Sequence, residues 1–374
     1  MFLGQQFLSV HSFLHALFRI RSSFQVEISE IGLKEGVSGA VFRIIMKFST
    51  LSIFSISLIF LGFVPALDAG FTVEKKGANA VLKYDGELVT EYVTDQSNKP
   101  FLWPVIGPGG VKMTRSYPMK DVEGERKDHP HHRSVWFGLQ GMGGFDTWHE
   151  ARTIEERKGS AEIKKKKLAG LGSTVHREFS KLEGGKDKAV VVAINDYVGS
   201  NGKKLMSDVR TLTFTMGKDR LVLEYDFIFK AEYGDCHVKD MKDSGFCVRV
   251  PTSMDVDSKM GGKIINSEGQ TDKGAWGKRA TWVSYTGPVE GKTMGVAILN
   301  HPSSFRHPNP WHVRTYGLFT ANPFGTKSIA KEKDGSFDLE SGKTFSLRHR
   351  VIFHEGTTEE AKISQAWDEY AKSK

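Results

Sequence analysis

The sequence predicts an all-β protein, a large antiparallel β-sandwich closed by a short C-terminal helix. Apolar and polar residues alternate with a period of two in stretches rich in Val, Thr, Tyr and Phe. These stretches are AVLKYDGELVTEYVT, AVVVAINDYV, DVRTLTFTMG, RLVLEYDFIFKAEY and TFSLRHRVIFHEG. Turn-forming sequences separate them, and we interpret GSNGKK and MGKDR as hairpin turns. Alternation interrupted by tight turns is typical of antiparallel sheets.

A helical pattern with end signals appears at the C-terminus. The segment TTEEAKISQAWDEYAKSK begins with threonine, carries glutamates in its first turn and lysines in its last. No linker and no repeat of fixed period is visible in the rest of the chain. We therefore predict that residues 70–374 form a single β-sandwich domain, a size that all-β folds reach.

The N-terminal region predicts export. From Met46 the sequence reads MKFSTLSIFSISLIFLGFVPALDAG, with one lysine, an apolar run, a proline and small residues. This is the layout of a secretory signal peptide, and its apolar core is shorter than the roughly 20 residues of a membrane span. We predict a signal peptide over 46–69, a secreted or periplasmic protein, and an unstructured upstream extension over 1–45. An uncleaved N-terminal anchor is the alternative.

Composition and charge distribution limit the classes of binding partner. The 374 residues are 39% hydrophobic and 26% charged, with a formal net charge of +8, as in a soluble globular protein. The run Lys164–Lys167 has acidic neighbours, and we interpret it as a solvated strand end or loop. Without a basic face interleaved with aromatic residues, we expect no nucleic-acid partner, and after signal cleavage no membrane. Cys236 and Cys247 could close a hairpin as a disulfide.

Two segments, Phe101 to Glu150 and Asn300 to Gly325, break the alternation and contain seven of the thirteen histidines. Both are dense in Pro and Gly beside Trp, Phe and Arg, as expected of ordered functional loops on a β scaffold. Rings beside arginine, histidine and carboxylate suit a carbohydrate, because sugar C–H faces stack on rings and hydroxyls bind forked polar groups. We expect the two segments to converge on one pocket that binds a carbohydrate or another small polar substrate.

The stretch DHPHHRSVWFG raises three alternatives for its histidines. On an extended chain His129 and His131 face one side and His132 the other. As acid–base groups, these three histidines are the catalytic candidates, with Asp128, Asp146 or Glu150 as the orienting or partner carboxylate. As ligands, His129 and His131 would need others from His149, Glu150, His307 or His312. The metal candidates are His129, His131 and His312; no cofactor is expected, but a divalent metal stays open. In the third interpretation the histidines only satisfy backbone carbonyls.

Further residues of the two segments are candidates for substrate binding. Arginines offer forked donors to hydroxyls or carboxylates, and tryptophans offer stacking platforms. The candidates are Arg115, Trp136, His149, His307, Trp311, His312 and Arg314. The sequence contains no GxSxG, phosphate-cradling loop or HExxH motif, which disfavours a serine hydrolase, a nucleotide-binding protein and a zincin.

Four motifs, PVIGPGGVKMTRSYPM, DHPHHRSVWFG, DTWHE and HPSSFRHPNPWHVRTYGLFTANPFG, resemble a family of secreted bacterial proteins of unknown function, frequent in planctomycetes. The resemblance runs from about Gly70 to His354. The family is commonly labelled "methane oxygenase PmoA", which implies a metal-dependent oxygenase. A subunit of the particulate methane monooxygenase would need several apolar spans of about 20 residues, and none follows the signal peptide. We treat the label as a naming error.

The stretch HPHHRSVWFGLQGMGGFDTW is also similar to the histidine–glycine region of aldose mutarotase-like proteins. This similarity implies a β-supersandwich in which Arg115 binds sugar and His129 or His131 acts as an acid. The base would be a later carboxylate, either Glu268 or Glu355. We therefore predict a secreted carbohydrate-binding protein that uses histidine/carboxylate acid–base chemistry as an epimerase, lyase or hydrolase. The alternatives are a non-catalytic glycan-binding module and a metal-dependent oxygenase, so enzymatic activity stays open.

Overall fold

A computed structural model describes residues 26–29, 43–46 and 70–373. In a first compact unit, Met1–Pro65, two short strands pair in antiparallel fashion, β1 (Val26–Ser29) with β2 (Arg43–Met46). The other described residues belong to a second unit, Ala66–Lys374. The rest of the predicted extension and signal peptide lies outside the described residues, so the boundaries 1–45, 46–69 and 70–374 stay predictions. None of the helices described is long and apolar enough to cross a membrane.

Two large antiparallel sheets form the second unit, as predicted. The strands of the first sheet are β3 (Phe71–Lys76), β4 (Asn79–Tyr84), β5 (Glu87–Val93), β6 (Phe101–Val105), β7 (Val135–Met142), β8 (Phe145–Asp146), β13 (Cys236–Val238), β14 (Ser244–Arg249), β18 (Trp311–Val313), β19 (Leu318–Ala321) and β20 (Phe337–Leu339). The strands of the second are β9 (Gly172–Glu183), β10 (Ala189–Gly199), β11 (Lys204–Met216), β12 (Arg220–Lys230), β15 (Lys263–Asn266), β16 (Trp282–Val289), β17 (Lys292–Asn300) and β21 (Thr344–Glu355).

The neighbour order in each sheet shows how the chain is wound. The eleven-stranded sheet runs β18-β19-β14-β7-β6-β5-β4-β3, with β8, β13 and β20 attached beside β7. The eight-stranded sheet runs β15-β16-β17-β21-β12-β11-β10-β9. The predicted hairpin turns are confirmed, since GSNGKK joins β10 to β11 and MGKDR joins β11 to β12.

Alternating side chains build the core between the sheets. On β12, Leu221, Leu223, Tyr225 and Phe227 are buried while the residues that alternate with them are partly exposed. Phe227 meets Phe137 of β7 at a ring-centroid distance of 5.0 Å, so the inner faces of the two sheets are in contact. The period-two pattern therefore places one face of each strand in a shared apolar core.

Three α-helices are described, α1 (Ala151–Glu156), α2 (Ala161–Ala169) and α3 (Ile363–Tyr370), with short 3₁₀ turns at Pro108–Gly110, Thr252–Met254, Val256–Ser258 and Asp272–Ala275. The predicted C-terminal helix is confirmed as α3, which packs its buried Ile363 and Tyr370 with Trp282 and Leu299 of the eight-stranded sheet. The lysine run was wrongly interpreted as a strand end or loop, because it lies inside α2. No residue of α2 is buried, so its sequence carries no apolar stripe.

The two cysteines do not form the disulfide that the sequence allowed. Both are buried and free, Cys236 on β13 and Cys247 on β14. The Cys247 sulfur instead lies 3.4 Å from Oγ1 of Thr320 on the neighbouring strand. The side chains pack as small apolar groups within the sheet.

The outer face of the eleven-stranded sheet prepares the candidate site. Register pairs place six residues side by side across six strands, and directly paired residues point to the same face. This row is Val93, Phe101, Trp136, Cys247, Thr320 and His312. Loops from the two unusual segments cover the row, and Trp148 joins its apolar cluster.

Candidate functional site

Arg115 organises the loop that carries the histidines. Its fully buried guanidinium donates to the backbone carbonyls of Tyr117 (3.1 Å), Arg126 (3.2 Å), Asp128 (2.9 Å) and His129 (3.1 Å). Because the N–H groups of this guanidinium donate to backbone carbonyls, Arg115 holds the backbone of the loop in place. Arg115, predicted to bind substrate, is therefore placed behind the loop, where it positions its neighbours.

The histidine rings pack into one ordered stack. His129 has a left-handed φ of 45°, so the chain is not extended here, and the predicted alternation of faces was wrong. The rings of His129 and His132 stack at 4.7 Å, while His131 meets His132 edge-on at 4.5 Å. Trp136 stacks beneath His132 at 5.3 Å, and Tyr316 stacks on His129 at 5.2 Å. Because Tyr316 belongs to the second segment, the two segments meet at this stack.

Arg249 joins the stack to a carboxylate. It projects from β14 with 1% exposure and donates to Nδ1 of His132 (3.0 Å) and to Oδ1 of Asp128 (2.8 Å). Its guanidinium carbon lies 5.1 Å from the ring centroid of Tyr316. Since Nδ1 of His132 accepts a hydrogen bond, the proton of this neutral ring is on Nε2. His132 is therefore fixed as a donor.

The first His–Asp pair is His129 with Asp128, whose Nδ1 and Oδ2 atoms are 2.9 Å apart. Burial alone would raise the pKa of Asp128, but the hydrogen bond from His129 and the charges of Arg249 and Arg115 hold it well below its usual value. An ionised carboxylate only accepts, so Nδ1 of His129 donates and Nε2 offers a lone pair. About a third of each side chain is exposed.

The second pair is His149 with Asp146, at 2.8 Å between Nδ1 and Oδ2. The other oxygen of Asp146 accepts the backbone N–H groups of Trp148 (2.8 Å) and His149 (3.0 Å). Burial opposes ionisation, yet the hydrogen bond and charge of His149 lower the pKa of Asp146. The ring of His149 lies 4.7 Å from that of His131. Within the described chain, Nε2 of His149 has no hydrogen-bond partner.

His131 and His132, the most deeply buried histidines of the ring cluster, are neutral. Burial, followed by the charges of His149 and Lys99, holds the pKa of His131 well below its ordinary value. Burial, followed by His131 and Arg249, does the same to the pKa of His132. The site therefore combines imidazoles that stay uncharged with two that a carboxylate orients, an arrangement suited to moving protons.

Glu150, a predicted catalytic carboxylate, is locked in ion pairs. Its two oxygens accept Nε (2.9 Å) and an Nη (2.6 Å) of Arg133, and fully buried Lys99 lies 3.1 Å away. Burial would raise the pKa of Glu150, but the charges of Lys99 and Arg133 lower it to about 2. Because the carboxylate is saturated with partners, its role here is to position Arg133.

The other predicted binding residues divide by the direction of their strands. Trp311 faces the core between the sheets and is fully buried, as is Trp136 in the outer cluster, so neither offers a ring face to solvent. His312 faces the outer side, where Nε1 of Trp276 donates to its Nδ1 at 2.9 Å, and burial lowers its pKa to about 3. Arg314 lies beside Trp276 and Tyr316.

Three residues lie elsewhere. His307 stacks on Trp367 of α3 at 6.3 Å, so it belongs to the surroundings of the C-terminal helix. Glu268 and Glu355, the two candidates for a base, are both on the eight-stranded sheet. Glu268 is exposed after β15, and Glu355 pairs with Lys292.

The metal candidates do not form a ligand set. In the region that the structure describes, no group of three or more His, Cys, Asp or Glu side chains could hold an ion. His129 and His131 meet edge to face at 5.8 Å, and Nδ1 of His312 already accepts from Trp276. This geometry gives no support to a metal held by these three histidines.

Four residues of the site were missing from the sequence-based candidates: Lys99, Arg249, Trp276 and Tyr316. Arg249 could have been noticed as a charge inside the apolar stretch GFCVRV. Every residue of this strand is buried, so a charged side chain there needs a partner within the protein. Tyr316 lies in the segment that was singled out, in RTYG. The contacts of these four residues are with segments distant in the chain, so no local sequence pattern predicts them.

Two clefts border the cluster. One, of about 640 Å³, is lined by Thr315, which lies between Arg314 and Tyr316 in the chain. The other, of about 530 Å³, is lined by Ser97 and Asn98, whose side chains bond Oε1 of Glu150 (3.0 Å) and the carbonyl of His149 (2.8 Å). Ligand-sized space therefore adjoins the site.

Solved structures that resemble this chain include GH36 alpha-galactosidases and galactose mutarotase-like proteins, all of low identity. A GH36 alpha-galactosidase from Geobacillus stearothermophilus is 11% identical over 76% of this chain and 41% of its own, with a TM-score of 0.40. A galactose mutarotase-like protein from Clostridium acetobutylicum is 9% identical over 77% of this chain and 99% of its own, with a TM-score of 0.35. The chain spans about two fifths of the length of the GH36 enzymes it matches. These likenesses concern the fold.

No curated protein matches the sequence. The match to a family model, by contrast, covers most of the chain, over residues 79–368, and includes every motif from DHPHHR to NPFG. The "methane oxygenase" label stays a hypothesis that these comparisons do not test. The chain belongs to the family of unknown function DUF6807.

Proposed function

We propose that this protein is a secreted or periplasmic carbohydrate-active enzyme that transfers protons through its histidines, as an epimerase, lyase or hydrolase. The observation that carries the proposal is the pair of His–Asp couples in one ring cluster, His129 with Asp128 (2.9 Å) and His149 with Asp146 (2.8 Å). In each couple a carboxylate orients the imidazole through Nδ1 and leaves Nε2 for another molecule.

The chemistry follows from the two couples acting on one substrate. One imidazole removes a proton with its Nε2 lone pair while the other, protonated, donates one to the leaving or receiving atom. The ionised carboxylates stabilise the imidazolium that forms. Buried His131 and His132 pack beside the couples without adding charge.

A carbohydrate suits the surroundings of the couples. Partly exposed Tyr316 and Trp276 lie beside Arg314, and the adjoining clefts are lined by hydroxyl, amide and charged side chains. Rings for C–H faces and forked donors for oxygens are what a sugar needs. The observed couples favour an enzyme over a glycan-binding module without activity, because binding alone requires no oriented imidazoles.

The test is turnover of free sugars and short glycans, followed by proton NMR in D₂O so that epimerisation, elimination, hydrolysis and C–H exchange are all visible. We expect His149→Gln and His129→Gln each to lower the rate about 10²–10⁴-fold. His237→Gln is the matched control, since His237 pairs with Asp338 at 2.7 Å in an exposed position on β13. Turnover that survives both cluster variants would refute the proposal, and sugar binding without turnover would favour the binding module.

A further inference from the structure

Arg314 differs from the other arginines of the site in having no acceptor. Arg115, Arg133 and Arg249 each bond carbonyls or carboxylates. The guanidinium carbon of Arg314 lies 5.8 Å from the ring centroid of Trp276 and 5.5 Å from that of Tyr316, and its side chain donates to no other described residue. Stacking thus holds the planar group while its N–H groups stay available.

The two rings that flank Arg314 are themselves fixed. Nε1 of Trp276 donates to His312 at 2.9 Å, and Tyr316 lies parallel to His129, with 2° between the ring planes. One ring therefore separates the guanidinium of Arg314 from the His129 imidazole. A molecule bound by Arg314 would extend directly to the first His–Asp couple.

The site also carries an excess of positive charge. Five cationic side chains surround the histidines, and three carboxylates take part in the same contacts. His131 and His132 are neutral and add no charge. The cations are Lys99, Arg115, Arg133, Arg249 and Arg314, and the carboxylates are Asp128, Asp146 and Glu150. Nearby Asp243 contacts both Lys242 at 3.7 Å and Nε2 of His312 at 3.8 Å, and the charge of Lys242 balances its own. A poorly hydrated site with surplus positive charge attracts an anion.

The cleft of about 640 Å³ is lined by residues that neighbour Arg314 and Trp276 in the chain. Thr315 lines it from one side, and Thr271–Gly274, two residues before Trp276, line it from the other. Its charged walls, Asp257 and Lys259 among them, offer hydrogen bonds to hydroxyls. This volume lies within the range of small-molecule sites and accommodates more than one sugar unit.

We propose that the substrate is an acidic saccharide, a uronate whose carboxylate is bound by the forked N–H groups of Arg314 between Trp276 and Tyr316. This inference rests on the proposed function and names its substrate class. The uronate ring then lies at the edge of the Tyr316–His129 stack, and further sugar units extend towards the cleft that Thr315 lines. A bidentate guanidinium–carboxylate contact fixes both orientation and charge.

The experiment is calorimetric binding of galacturonate, glucuronate and their trimers, beside galactose, glucose and galactose 6-sulfate, to the whole protein at low salt. We expect at least one uronate probe to bind at least tenfold tighter than its neutral counterpart. Arg314→Met removes that preference and Arg314→Lys keeps part of it, while both variants retain the wild-type unfolding midpoint. Arg220→Met, on the eight-stranded sheet, is the matched control and leaves binding unchanged.

Equal binding of neutral and acidic sugars, or a preference that survives Arg314→Met, would overturn the inference. Binding of the sulfate but not of the uronates would overturn the carboxylate as the recognised group. The measurement separates this inference from the proposed function. Uronate binding without any turnover would support the acidic ligand and refute the enzymatic function. Turnover of neutral sugars alone would support the enzymatic function and refute the acidic substrate.

Discussion

Two buried arginine–aspartate networks in this protein have similar chemistry and different access to solvent. Between the sheets, Asp208 receives Asn195 (2.6 Å), Tyr197 (2.6 Å) and Arg210 (2.9 Å), and both charged side chains are fully buried. On the outer face of the other sheet, two arginines share Asp128, and the attached imidazole keeps a free Nε2. The inner carboxylate is satisfied by the protein, whereas the outer network leaves groups for another molecule.

The comparison shows that burial of charge alone does not identify a site. The inner network has one cation for one carboxylate, and strands β10 and β11 supply all its members. The outer network is assembled from loops and three strands, holds excess positive charge, and borders solvent. Open hydrogen-bonding positions, together with access, distinguish the candidate site from a structural ion pair.

The largest effect is expected from breaking the inner pair. Asp208→Ala leaves Arg210 buried without its counter-ion and should lower the free energy of unfolding by about 3–5 kcal/mol. The double variant Asp208→Leu with Arg210→Met removes both charges and should be milder. Urea denaturation of the two variants checks this, and an equal loss in both would contradict a paired network.

The next largest effect is expected from acid, which should weaken the ion pairs of Glu150 with Lys99 and Arg133. The pKa of Glu150 in the folded protein is about 2, below its ordinary 4.5, so its contribution is present above pH 4.5 and is lost as the pH falls towards 2. The depression corresponds to about 3 kcal/mol. Urea midpoints between pH 6 and pH 2 should fall less steeply in Glu150→Gln, and parallel curves would show that Glu150 is not held by Lys99 and Arg133.

Replacing an unsatisfied core histidine should increase stability. His349 stacks on Phe246 at 5.1 Å, both its nitrogens are buried without a partner, and burial lowers its pKa to about 3. His349→Leu should therefore add about 1–2 kcal/mol at neutral pH. His132→Leu is the comparison, and it should destabilise because it deprives Arg249 of an acceptor. Thermal unfolding of both variants separates the two cases.

The smallest effect on stability is expected at Asp146. Asn keeps an oxygen for the backbone N–H groups of Trp148 and His149, so Asp146→Asn should change the free energy of unfolding by less than about 1 kcal/mol. The new amide donates to Nδ1 of His149 and moves the imidazole proton to Nε2. Nitrogen-15 NMR of His149 would show this inverted tautomer, and turnover should fall with it. An unchanged tautomer would mean that Asp146 does not orient the ring.

Local sequence predicted the strands, their hairpins and the last helix, because period-two burial and turn residues are local properties. It missed α1, which is only six residues long, and α2, since the exposed stretch AEIKKKKLA has no buried face to produce a period. Clustering of histidines pointed to two segments that the structure brings into contact at His129 and Tyr316. It could not give the left-handed turn at His129, the saturation of Glu150 or the part played by Arg249 and Tyr316. Those depend on contacts between segments far apart in the chain, from 14 residues for Arg115 and His129 to 117 residues for Arg249 and His132.

The site lies on outward-facing strand positions, and this has a consequence for how such sandwiches diverge. On β7, Trp136 supports the histidines while Phe137 packs against the other sheet. Neighbouring residues of one strand thus have separate roles, one in supporting the site and the other in packing the core. A reaction can be exchanged, by evolution or by grafting loops, without repacking the interior, and the interior can be altered without touching the chemistry. The same scaffold can therefore serve unrelated reactions.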